Sequence, residues 1–246
     1  MASERLPGIL VAPGELPPYL LLPGDPARAA RIAQRLDSPK EIAKNREFHS
    51  YRGTYRGVPV GVLSTGIGAP SAAIACEEAI RAGAEVLIRV GTAGSLQDEV
   101  RDGDVVIALG AARSEGTTPR LFPLELPAMA DPDVAHALWR AARAKGAPVH
   151  RGTVVTLDLF YRGVLDLGLE TYSQAGALAV EMECSAVFCV AALRGAQAGA
   201  ILAIDGSALK ASSGEYDPHR EVVRRAVDLE IEIALEAVAS LAKGGG

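Results

Sequence analysis

Short, continuously apolar runs recur along this chain with helix-like segments between them, and that alternation narrows the folds open to it. The runs lie at 19–22, 59–64, 86–90, 105–109, 153–156, 177–180 and 201–204. Most are apolar at every position, as strands covered on both faces are, rather than at alternate positions. Asp25 followed by Pro26 reads as an N-cap and first helical residue, opening a helix over 27–36. Asp131 and Pro132 repeat the device ahead of 134–145, with Gly146 to end it. Pro70 and Ser71 open 72–81, Gly83 stops it, and a last helix runs over about 219–243 with Val223, Val227, Ala234 and Val238 on its apolar side. The pattern predicts an α/β fold, one domain over 1–246 with a central mixed or parallel sheet flanked by helices. Its core is expected over 9–241 and a frayed tail at 244–246. The chain has 246 residues, 49% of them apolar, which suits one large core. The segments 114–131 and 207–218 read as long loops, a frequent seat of function in compact α/β proteins.

The formal net charge of −5 gives no electrostatic reason to expect nucleic acid. No apolar run is long enough to span a bilayer, and Pro13, Pro17 and Pro18 break the stretch after Arg5, which does not read as a signal peptide. The expected location is cytoplasmic. Cys76, Cys184 and Cys189 lack metal-ligand spacing and read as buried, reduced thiols. His49, His136, His150 and His219 have neither triad nor metal spacing, so no metal is expected.

Segments far apart in the chain each read as a strand running into a tight turn. They are Leu-Leu-Leu-Pro-Gly-Asp-Pro at 20–26, Leu-Ile-Arg-Val-Gly-Thr-Ala-Gly-Ser at 87–95 and Val-Glu-Met-Glu-Cys-Ser-Ala at 180–186. The first places Gly24 at a strand-to-helix turn with Arg28 in the first helical turn, where free N–H groups and partial positive charge favour an anion. A plain turn beside an exposed arginine is the structural alternative. Arg89 interrupts an apolar strand, and an unpaired buried cation is costly, so a bound anion or a buried carboxylate must satisfy it. Thr92 adds a hydroxyl beside it. In the third segment Glu181, Met182 and Glu183 end an apolar run, where a glutamate can either serve a sugar's hydroxyls or cap the following helix. Asp205 stands at the carboxyl end of a strand, the edge where ligands sit in open α/β sheets, with an Asx-turn as its alternative. Thr65-Gly66-Ile67-Gly68 is a weaker signal for backbone approach to a ligand. Phosphate beside a sugar is the ligand these residues fit together.

In this order and spacing, Pro-Gly-Asp-Pro, Arg-Val-Gly-Thr-Ala-Gly, Asp-Leu-Phe-Tyr at 158–161 and Glu-Met-Glu resemble the hexameric-type nucleoside phosphorylases, across about 9–241. Asn45-Arg46-Glu47 followed by Gly53-Thr54-Tyr55 looks like a further segment of that family. The likeness is nearest to its compact purine enzymes, through Asn-Arg-Glu-Phe and Asp205-Gly206 followed by Lys210. The resemblance implies that Gly24, Arg28, Arg89 and Thr92 hold phosphate, with Arg46 donated to a neighbouring subunit's site. It implies Met182 and Glu183 on the ribose with Glu181 assisting, Phe160 against the base, and Asp205 as the catalytic acid facing purine N7. The implied reaction is reversible phosphorolysis of a purine nucleoside, with inorganic phosphate as co-substrate and no other cofactor. The implied assembly is at least a dimer, and a hexamer built as a trimer of dimers.

The chain departs from that family where a histidine near the N-terminus often meets the ribose 5′-hydroxyl: Gly8 stands there. Arg220 falls near the position of an arginine that assists the base-facing aspartate, but its register leaves it unassigned. Uridine phosphorylases place a glutamine and an arginine after the Phe-Tyr pair to read uracil, whereas Arg162-Gly163-Val164-Leu165-Asp166 offers neither at the expected offsets. Uridine or broad specificity is the alternative to purine. A nucleosidase on the same fold would not need Arg28, Arg46 and Arg89, and a dinucleotide-binding dehydrogenase would need a Gly-x-Gly-x-x-Gly turn that Pro23-Gly24-Asp25-Pro26 does not supply.

Overall fold

The computed structural model describes residues 5–210, 217 and 219–244. Of the expected loop over 207–218, Ser212, Ser213, Gly214, Glu215 and Pro218 lie outside the described residues, as do Gly245 and Gly246 of the expected tail.

One mixed sheet organises the chain. Strand β1 (Tyr19–Leu22) is buried on all but its first residue and leads through Pro23-Gly24-Asp25 into helix α1 (Pro26–Ala33). The Asp25 side chain accepts from the N–H groups of Ala27 and Arg28, at 2.8 and 3.3 Å, so the predicted cap forms. A hairpin of β2 (Asp37–Asn45) and β3 (Phe48–Tyr55) runs on into β4 (Val58–Leu63) and helix α2 (Ala69–Arg81). Next come β5 (Val86–Ser95) and β6 (Val105–Ser114). The segment expected as a loop over 114–131 contains a 3₁₀ turn at Thr118–Arg120 and the two-residue strand β7 (Ala128–Met129). Helix α3 (Pro132–Ala144), capped by Asp131, then leads to β8 (Val149–Leu157). A short α4 (Leu169–Gln174) precedes β9 (Ala179–Glu181), α5 (Cys184–Arg194), β10 (Gln197–Ser207) and α6 (Glu221–Leu241).

Strand β5 has three neighbours, and this explains the architecture. Along its whole length it pairs in parallel with β10; on its other side it pairs first with β1, through Arg89 opposite Leu22, and then with β9, from Gly94 opposite Val180. β10 also pairs with β6, β6 with β8, and β8 with β9, so five strands close on themselves. The β1, β4, β3 and β2 strands extend from β5 as an open wing. Between the end of β1 and the start of β9, residues 90–93 have no strand partner on that side among the described residues, which leaves a crevice at the carboxyl end of β1, where ligands gather in sheets of this kind.

This arrangement corrects one expectation. Gly91-Thr92-Ala93-Gly94 is not a tight turn: β5 runs straight through it to Ser95, because its outer edge is held by Leu202, Ala203, Ile204 and Gly206 of β10. The turns after β1 and β9 form as predicted.

The core is aliphatic and small-residue rich, with Leu20, Leu21, Leu22, Leu87, Ile88, Ile107, Leu138 and Phe188 fully or almost fully buried. All the cysteines are buried and unbridged; burial pushes the Cys76 thiol up to about 12 and Cys189 to about 11, so neither is a nucleophile near neutral pH. Among the described residues no helix is long and apolar enough to cross a membrane.

Candidate active site

The strand-to-helix turn after β9 supplies two carboxylates with different work. Glu181 closes β9, and its oxygens accept from the N–H groups of Glu183 and Cys184 at 2.7 and 2.9 Å, from Thr156 Oγ1 at 2.6 Å and from Arg89 Nε at 2.9 Å. Three of those donors converge on Oε2, and the Thr156 hydroxyl holds Oε1. Glu181 is thus the residue that caps α5 and fixes Arg89. Glu183 turns the other way. One of its oxygens accepts the Gly68 N–H at 2.5 Å, at the start of α2, and the other meets Arg89 Nη2 at 2.6 Å. Each of its oxygens keeps acceptor capacity for a ligand hydroxyl.

Arg89 stands where β1 ends, with its side chain 4% exposed. Burial works against its charge, and Glu183 and Glu181 more than offset that, so the guanidinium stays protonated. Its seat depends on Gly91: a Cβ there would lie 2.7 Å from the Arg89 Cζ. The sequence singled out Gly91 as a turn residue; the structure assigns its missing side chain to the guanidinium lying over it.

Arg28 approaches the same reach of β5 from α1. Its Nη1 donates to the Val90 carbonyl at 3.2 Å, one of the edge groups left without a strand partner, and lies 3.4 Å from Glu230 Oε1 on α6. Burial pushes the Glu183 carboxyl up, opposed by Arg89 first and also by the Gly68 N–H and Arg28, so both guanidinium groups act on one carboxylate. Gly24 sits in the turn before α1, where a Cβ would come within 3.1 Å of the Gly66 carbonyl, and the N–H of Gly66 bonds to the Gly24 carbonyl. The weakly signalled turn at 65–68 therefore zips onto the 23–24 turn and presents Gly68 to Glu183. Thr92 is half-buried on β5 opposite Ala203, and Met182 is half-buried between the glutamates.

Asp205 is 6% exposed and lies at a bulge in β10: Ile204 pairs with Ala93 and Gly206 with Gly94, leaving Asp205 as the extra residue. Bulges of this kind re-aim a side chain beside a site. The backbone carbonyl of Asp205 accepts from Arg220 Nη2 at 2.9 Å, and Arg220 is itself tied to Asp102 at 2.6 Å. Arg220, which the sequence left unassigned, thus grips the main chain of the bulge.

The remaining candidates stand at the rim. Arg46 is exposed at the tip of the β2–β3 hairpin with φ 52°, and it forms no ion pair among the described residues. Phe160 is 59% exposed after β8, edge-on to Tyr161 with ring centroids 5.0 Å apart. Gly8 is held by its own contacts, its N–H on the Glu78 carboxylate and its carbonyl on Asn45 Nδ2 at 2.7 Å. Among the described residues no group of His, Cys, Asp and Glu could hold a metal ion.

Glu230 is the residue that reading the sequence missed. It is fully buried, and it falls on the apolar stripe of α6, seven after Val223 and four before Ala234. An acid in that register was the signal available.

This chain is similar to known proteins along nearly its whole length. The sequence pattern of the phosphorylase superfamily matches residues 18–239. A guanosine phosphorylase of Halorubrum lacusprofundi is 39% identical over 96% of this chain and 99% of its own. A uridine phosphorylase of Thermococcus kodakarensis is 40% identical over 80% of this chain and 75% of its own. The crystal structure of a purine nucleoside phosphorylase from Toxoplasma gondii in complex with immucillin-H superposes with a TM-score of 0.95 at 35% identity, covering 99% of each chain.

Proposed function

This chain belongs to the phosphorylase superfamily, and we propose that within it the chain catalyses the reversible, phosphate-dependent cleavage of purine ribonucleosides to free base and ribose 1-phosphate. One observation carries the reading: Arg28 bonds to Val90 on the unpaired edge of β5, the Arg89 guanidinium lies over Gly91 beside it, and Arg89 is bonded to Glu183, whose oxygens still have acceptor capacity. An oxyanion and a sugar diol have their complementary groups side by side there.

In this reading phosphate lies between Arg28 and Arg89, near Gly24 and Thr92. Glu183 accepts hydrogen bonds from the ribose 2′ and 3′ hydroxyls beside Met182, while Glu181 acts by holding Arg89 and the start of α5. The glycosidic bond stretches first and the sugar gains oxocarbenium character. Phosphate stabilises that charge and then attacks the anomeric carbon from the face opposite the departing base. Asp205, protonated, donates to purine N7 so that the base leaves neutral, and Phe160 packs against the base. A positioned acid of this kind contributes about 10² to 10⁴ in rate, with much of the remainder coming from placement and electrostatic stabilisation.

The buried acid at the β10 bulge favours a purine, since uracil has no N7. The relatedness to a uridine phosphorylase, 40% identical, supports the second reading, uridine or broad specificity. The exposed Arg46 suits donation to a neighbouring subunit's phosphate, which makes the functional unit at least a dimer, and a hexamer of three such dimers by family likeness. The chain works on nucleoside and phosphate in the cytoplasm, away from nucleic acid and membranes. A panel of inosine, guanosine, adenosine and uridine, each assayed for base release, tests the specificity. Faster turnover of the 6-oxopurine nucleosides is expected; faster turnover of uridine establishes the second reading instead.

A further inference from the structure

The charges buried around the crevice do not balance once a second anion is added. Two guanidinium groups, Arg28 and Arg89, face the carboxyl groups of Glu181, Glu183 and Glu230. A dianion can join such a cluster at low cost only if one carboxyl becomes neutral, because like charges in a poorly solvated site disfavour ionisation. Glu181 is held by four donors, and Glu183 by Arg89 at 2.6 Å and the Gly68 N–H. Glu230 is held least firmly. Its Oε2 accepts from the Ala203 N–H at 3.0 Å, but among the described residues its Oε1 is buried without a hydrogen-bond partner and has only Arg28 at 3.4 Å.

Resting on the phosphate site proposed above, we propose that Glu230 is the positioning residue of its oxyanion half. Ionised, it braces Arg28 against β5, and it takes up a proton from solvent when an oxyanion claims that guanidinium. The groups that face it are Arg28 from α1, Arg89 from β5, and Asp205 from β10, together with the Ala203 N–H. Burial first, and Asp205 after the opposing arginines, hold its proton affinity well above that of an ordinary carboxyl, up to about 8. Through Ala203, two residues before the bulge, Glu230 also ties the anion half of the site to the strand that carries Asp205.

Isothermal calorimetry of the intact chain tests this with inorganic phosphate and with sulfate, which does not titrate between about pH 7 and 9. Each titration is repeated in buffers of different ionisation enthalpy to count protons. Wild type is expected to take up a fraction of a proton near pH 8 on binding either anion, and to bind sulfate about tenfold more weakly at the upper pH, the change one unit of pKa displacement produces. Glu230→Gln, which keeps the size and the acceptor for Ala203, should bind with no proton uptake and no such pH dependence. Glu230→Ala should raise the KM for phosphate with little change in kcat. A wild type whose sulfate affinity and proton count are flat across this range, or a Glu230→Gln variant indistinguishable from it, overturns the role of Glu230 and leaves the phosphate site standing. A wild type that binds neither anion overturns the phosphate site itself, and Glu230's role with it.

Discussion

The Arg89 guanidinium lies 2.6 Å from the Glu183 carboxylate, with side-chain exposures of 4% and 7%. Buried ion pairs contribute little net stability, because desolvating both charges costs about as much as their attraction returns. Retaining one at the carboxyl end of β1, beside an unpaired strand edge, therefore fits a ligand-handling role better than a purely structural one.

Gly91 should be intolerant of any side chain. A Cβ there would lie 2.7 Å from Arg89 Cζ, and the guanidinium cannot retreat without loosening its bonds to Glu181 and Glu183. Gly91→Ala is expected to lower kcat/KM for phosphate by about 10²-fold, the scale of a 1 Å misplacement, with the fold retained by circular dichroism. Activity within a factor of about two of wild type would mean that the position of Arg89 does not govern the anion.

Glu181 and Glu183 should separate by readout. Glu181→Ala removes the cap of α5 and one partner of Arg89, so it should cost about 3–5 kcal/mol in urea unfolding. Glu183→Gln keeps the side chain's size and leaves Glu181 on Arg89, so it should cost less stability than Glu181→Ala. It should lower kcat/KM for the nucleoside by about tenfold or more, through weakened hydrogen bonds to a charged acceptor. The reverse assignment would move the sugar contact to Glu181.

Asp205→Ala should cost about 10² to 10⁴ in kcat for inosine and less for uridine, since only a purine offers N7 to the acid. Equal losses on both substrates would count against the N7 role.

Stability should carry the signature of Glu230. Burial raises its carboxyl from an ordinary 4.5 to about 8 in the folded chain, with Arg28 the main opposing influence. Between those values the folded state holds the proton that the unfolded state has lost. Stability contributed by this group is therefore full below about pH 4.5 and is lost as pH rises to about 8, by an amount on the order of a few kcal/mol. Urea unfolding at several pH values should give a steeper decline for wild type than for Glu230→Gln. Parallel curves would show that Glu230 does not titrate in this window.

Much of this was legible in the sequence because the strands that carry the site are apolar on both faces. Tyr19–Leu22 was read to the residue, and the caps at Asp25 and Asp131 formed where Asp-Pro announced them. The hairpin of Asp37–Asn45 and Phe48–Tyr55 escaped, since β2 is largely exposed and its Ser-Pro-Lys-Glu stretch has no apolar run to mark it. The 87–95 segment was misread as turning at its glycines because pairing with β10, a strand over a hundred residues later, is what keeps it extended. Which glutamate caps and which is left to face a ligand depends on the direction of two side chains one residue apart, and residue identity alone does not record it. Glu230 was hidden for a different reason: one acid among several on a long helix looks solvated until its register on the apolar stripe is noticed.

The fate of the sugar tests the central claim most directly. Wild-type chain incubated with inosine and followed by phosphorus and proton NMR should form hypoxanthine and ribose 1-phosphate together, with no base release when phosphate is withheld. Base released at the same rate without phosphate, accompanied by free ribose, would contradict an oxyanion seated between Arg28 and Arg89 beside Glu183.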